Sequence, residues 1–131
     1  MSKQILVTLA GLLLAGALAA APVLAGEQHS HNAMRGGIVV ESGHHHVEIV
    51  AKDGTLEVYV AGEDGKPENV QKAKASAAVL SEGKKVDVAL MPDPSNVLRG
   101  SGSFKVGKGT TIVVTLTMPG HEPEQMRVRL D

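Results

Sequence analysis

The chain has 131 residues, with 13 Lys and Arg against 14 Asp and Glu, and no Cys. A near-neutral balance excludes a nucleic-acid binder built on a basic surface. The lack of Cys excludes disulfide staples, thiolate metal ligands and a Cys-anchored lipoprotein. With one Tyr, one Phe and no Trp, there is no aromatic platform for stacking bases or sugars, and the core has to be assembled from Val, Leu, Ile and Ala.

The first segment reads as a targeting signal. Lys3 supplies a positive start, Ile5 through Ala21 is an apolar run, and Val23-Leu24-Ala25 ends it with modest residues. That is the layout of a secretory signal peptide over residues 1–25. Residues 5–24 are almost long enough to span a bilayer, so an uncleaved anchor competes, but the Ala-rich end favours cleavage. Once cleaved, the chain has no further segment for membrane insertion, and its charge gives no reason to sit on an anionic surface. Residues 26–36 are polar and aperiodic, the pattern of a flexible His-rich arm, and residues 37–131 form the expected domain.

From Gly37 onward, short apolar runs are bounded by Gly, Pro, Asp, Asn or Ser, the pattern of successive strands. Ile38–Glu41 is the first, Ser42-Gly43 a turn, and His45–Lys52 the second, with Val47, Ile49 and Ala51 on one face. Asp53-Gly54 predicts a hairpin, after which Leu56, Val58 and Val60 point one way. A polar loop covers 62–71. Residues 72–80 alternate Lys with Ala and read as an edge strand, turning at Ser81–Lys84 into a strand from Lys85 to Met91 that points Val86, Val88 and Leu90 inward. Two extended pieces, Val97-Leu98 and Gly102–Val106, flank Gly100-Ser101. Thr110–Met118 is almost wholly β-branched, and Met126, Val128 and Leu130 alternate in a last strand. Seven or eight short strands without a helix predict an all-β fold, a small antiparallel Ig-like β-sandwich, with a small β-barrel as the alternative.

Chemistry concentrates in one stretch. Five of the six histidines lie between His29 and His46, and the sixth is His121. Neutral imidazole is the commonest ligand for borderline transition metals. His44 and His46, two apart on a strand, are expected to share a face and grip one ion, with His45 turned to the other face; the competing reading is a solvent-exposed strand start beside a buried, hydrogen-bonded His45. His29, His31 and Met34 in the arm, Glu48 on the strand, and His121 are the candidate helpers. Imidazole with thioether or carboxylate points to copper first, then zinc or nickel. Cleavage one residue later, after Gly26, would expose Glu27-Gln28-His29, a square-planar Cu(II) or Ni(II) arrangement.

An enzyme is not expected. There is no Cys nucleophile and no Gly-x-Ser-x-Gly or HExxH pattern, and the Gly-rich stretches are hairpin turns that do not join a strand to a helix. The competing non-metal reading is a structural or partner-docking module, paired by strand addition at an exposed edge, with incidental histidines.

The run Arg35-Gly36-Gly37-Ile38-Val39-Val40-Glu41, then His45–Val50 and Gly54-Thr55-Leu56, resembles a group of small proteobacterial periplasmic proteins and periplasmic segments of heavy-metal efflux systems. Gly62–Pro67 and Asn96–Gly100 running to Phe104 fit the same pattern. The resemblance implies a periplasmic setting, a metal-linked role and an efflux component as partner. Where that group often has His-Gly-Gly, this chain has Arg35-Gly36-Gly37, which removes one potential ligand. The expected function is metal buffering or delivery near an efflux system.

Overall fold

The computed structural model describes residues 33–131, so the expected signal peptide, His29 and His31 lie outside the described residues. The domain is all-β. Its eight strands are β1 (Ile38–Ser42), β2 (His45–Lys52), β3 (Thr55–Gly62), β4 (Lys74–Ser81), β5 (Lys84–Pro92), β6 (Leu98–Ser101), β7 (Thr111–Thr117) and β8 (Glu124–Arg129). They join in the order β1-β2-β3-β6-β5-β4-β7-β8, every neighbouring pair antiparallel. β1 and β8 touch, so this one sheet nearly closes on itself. The two layers of the expected sandwich are thus the two halves of a barrel-like sheet, facing each other across a single core. Among the described residues no helix is long and apolar enough to cross a membrane.

The core follows the period-2 pattern. Val47 and Ile49 of β2, Leu56, Val58 and Val60 of β3, Val88 and Leu90 of β5, and Ile112, Val114 and Leu116 of β7 are all buried in one cluster. Phe104, outside the strands, is the buried aromatic side chain, and Met118 and Met126 fill the same core.

Three local expectations change. The segment expected as an edge strand is β4, an interior strand between β5 and β7, with Ala77 buried in the core and Ala75 packed against it. Of the two extended pieces near residue 100, only the first becomes a strand, β6, which runs on through Gly100 and Ser101, while Gly102–Val106 is irregular. The first turn is shifted by one residue. Ser42 and His45 are the last pair of the β1–β2 ladder, so the two-residue loop is Gly43-His44. Gly43 has φ of 54°, as the first position of a type II′ turn requires. His44 therefore leaves the strand.

The arrangement of strand directions decides where function can sit. Odd-numbered strands run one way and even-numbered strands the other. Four connections, 43–44, 63–73, 93–97 and 118–123, consequently emerge at one end of the barrel. The hairpins at 53–54 and 82–83 and the loop at 102–110 emerge at the other.

Candidate functional site

His45 opens β2 with its side chain on the core side, and only 3% of the residue is exposed. Its Nδ1 lies 3.3 Å from both Oε1 and Oε2 of Glu124, a forked hydrogen bond. Its Nε2 lies 3.3 Å from Oε2 of Glu68. The His121 ring packs edge-on against it, centroids 5.2 Å apart and planes at 75°. Four connections far apart in sequence thus converge: the β1–β2 turn, the β3–β4 loop carrying Glu68, and the β7–β8 loop carrying His121 and leading to Glu124, with the β5–β6 loop beside them. The Asn96 side chain of that last loop ties it to the β3–β4 loop by donating to the Glu68 carbonyl oxygen (2.7 Å) and accepting from the Val70 N–H (2.8 Å).

Two glycines make room for the carboxylates. Gly62 is the register partner of His45, and a Cβ there would lie 3.0 Å from Oε1 of Glu68. A Cβ on Gly43 would lie 2.5 Å from Oε1 of Glu124. Glycine at these positions lets charged groups approach the backbone closely.

The expected His44–His46 grip does not form, because the turn takes His44 out of the strand. His44, exposed, places Nδ1 2.8 Å from Oε1 of Glu63. His46 lies on the outer face of β2 with Nδ1 3.5 Å from Oε1 of Glu41 on β1. Met34 and His46 do line one groove on that outer face, with Arg35, Glu48 and Tyr59, and Met34 is 84% exposed. Glu48, expected as a helper ligand, is otherwise engaged. Its buried carboxylate accepts the backbone N–H groups of Met34 (3.0 Å), Arg35 (2.9 Å) and Gly37 (2.9 Å). The last residues of the arm are therefore tied to β2, and the Arg35 guanidinium sits 3.9 Å over the Tyr59 ring, a cation–π contact.

The buried, hydrogen-bonded His45 belongs to the reading that competes with metal contact at His44 and His46, and the sequence names neither Glu68 nor Glu124 as its partner. The available signal was weak: a polar residue at a core-facing strand position paired with a glycine in the next strand. Among the described residues, no three His, Cys, Asp or Glu side chains already surround one point in a way that would hold a metal ion. The chain matches no protein-family model, no curated protein and no solved structure.

The Glu63 hydrogen bond, reinforced by that carboxylate's charge, raises the pKa of His44 above its ordinary value of 6.5. The stabilisation from this contact is fully present below the unfolded value and is lost as pH rises through the higher folded one. Both groups are exposed, so salt screens it. In an NMR titration the His44 ring is expected to titrate above 6.5, and Glu63→Gln is expected to return it toward that value. An unshifted His44 in the unaltered protein would contradict this pairing.

Proposed function

We propose that this protein is an exported, non-enzymatic domain that binds a transition-metal ion through its histidines, copper first and zinc or nickel next, buffering or delivering the ion in the periplasm near an efflux system. One observation carries the reading. His44, His45 and His121 come together with Glu63, Glu68 and Glu124 at one end of the barrel, although 77 positions separate the outermost of these histidines in the chain. Imidazole and carboxylate are the ligand types that borderline divalent ions accept. The setting and the efflux partner rest on the signal-peptide layout and the resemblance of the segments around Arg35–Glu41 and His45–Val50.

The test is a titration of the exported protein, its N-terminus mapped by mass spectrometry, with Cu(II), Zn(II), Ni(II) and, under reducing conditions, Cu(I). At least one ion is expected to bind more tightly than about 10 μM, near −7 kcal/mol. If none does, the metal reading is wrong and the barrel is better regarded as a structural or docking module.

A further inference from the structure

Resting on that reading, we infer that the ion sits between Nε2 of His45, the Glu68 carboxylate and the His121 ring, and that it is a borderline divalent ion, Cu(II) or Zn(II), bound without a thioether. The inference begins with the protons. Glu124 presents two acceptor oxygens to Nδ1 of His45 where Glu68 presents one to Nε2, so the ring proton is assigned to Nδ1. In the neutral ring Nε2 then carries the lone pair, and it faces another acceptor, Oε2 of Glu68, 3.3 Å away. Two acceptors facing each other repel unless a cation lies between them. That cation is either a second proton on His45 or a metal ion in the same place.

The distances favour the metal. On a tetrahedral ion with ligand distances of about 2.0–2.1 Å, two ligand atoms stand roughly 3.3–3.4 Å apart, and two imidazole centroids stand about 5 Å apart. The His45–Glu68 separation of 3.3 Å matches the first, while His121, edge-on to His45 with its centroid 5.2 Å away, has to turn a ring nitrogen to complete the set. Glu124 then takes the place carboxylates occupy behind metal-bound imidazoles, fixing the tautomer and orientation of the ring. His121 is exposed, in a loop, and rotates its nitrogen toward the ion on binding. Met91 is exposed on β5. Met118 and Met126 are buried in the core, and Met34 lies in the groove on the outer face of β2.

Zn(II), which is diamagnetic, serves as the probe, in competition with a chromophoric chelator and by 15N NMR of the imidazoles. On Zn(II) addition the His45 Nε2 signal is expected to move while Nδ1 keeps its proton, and the Met methyl signals are expected to stay in place. His121→Ala and Glu68→Gln are each expected to weaken Zn(II) binding by at least about tenfold, and Glu124→Gln by about 10–100-fold. His46→Ala, or His29→Ala with His31→Ala, is expected to leave it within about threefold. Because His121 and Glu68 lie in loops, thermal unfolding of their variants checks that the barrel persists. If His121→Ala and Glu68→Gln leave Zn(II) affinity unchanged while the arm or His46 variants abolish it, the inference is overturned and the metal reading survives. If the unaltered protein binds no ion, both fall together.

Discussion

Replacing Gly100 with Ala is expected to cost about 3 kcal/mol of stability, a large overpacking effect. Gly100 lies in β6, paired with Leu56 of β3. β6 joins β5 through only the Arg99–Met91 and Leu98–Pro92 pairs, so this is where the sheet turns from one half of the barrel to the other. A Cβ at residue 100 would lie 2.3 Å from the Ala89 carbonyl oxygen and 2.6 Å from Cγ1 of Val88. The first is backbone in the adjoining strand and cannot rotate away. Relief would require β5 and β6 to separate at their short ladder. Urea unfolding monitored by circular dichroism measures the change as a shift in midpoint at constant slope. For a domain of this size each kcal/mol corresponds to about 4–8 °C in Tm. A midpoint unchanged from the parent protein would show that the corner has more slack than these distances allow.

The second large effect is expected from Glu48→Ala. Three backbone N–H groups from residues 34–37 converge on this one buried carboxylate, with the Arg35 guanidinium 4.0 Å from Oε1. Hydrogen bonds to a charged group are each worth about 1.5–3 kcal/mol. Because these donors are only partly buried, water recovers part of the loss, and a net cost on the order of 3 kcal/mol is expected. Glu48→Gln retains an acceptor oxygen without the charge and is expected to fall between Ala and the parent. Amide exchange at Met34, Arg35 and Gly37 is expected to accelerate in both variants while exchange in β7 does not. Unchanged exchange at the three amides would mean that another acceptor holds the arm. Since Arg35 lies over Tyr59, release of the arm also uncovers that ring, and a change in Tyr59 fluorescence reports it.

Much of this protein was legible in its residue order because strand patterning is local. Asp53-Gly54, flanked by alternating apolar residues, located one hairpin, and His45–Lys52 was bounded correctly on both sides. Glu82-Gly83 has φ of 52° and 73°, the two left-handed positions of a type I′ turn, within the hairpin turn expected over Ser81–Lys84. The error at the first turn was small in sequence and large in consequence. With the loop at Gly43-His44 and not at Ser42-Gly43, His44 sits in the turn, outside the His45–Lys52 strand, and the strand-face geometry on which a His44–His46 pair depends is absent.

The site was legible only in part, for a different reason. A cluster of histidines in sequence suggests where ligands are, but ligands converge through topology. The residues gathered around His45 come from positions 68, 121 and 124, and no spacing rule links them. β4 shows the same limit: its Lys and Ala alternation suits an edge strand, yet the long β3–β4 connection carries it past β5 and β6 into the interior, where β7 covers its other side.

By itself, the order of residues determined that this chain forms short antiparallel strands, where most of them turn, which faces they bury, and that imidazole is its distinctive chemistry. These follow from side-chain alternation and turn conformation, which act over a few residues. The tertiary structure alone decided that the sheet nearly closes, that four connections share one end, and that His45, rather than the more exposed His44 or His46, is held between Glu68 and Glu124 against His121. Those outcomes depend on which strands pair across long connections, and pairing is governed by burial of a common core that no local window contains.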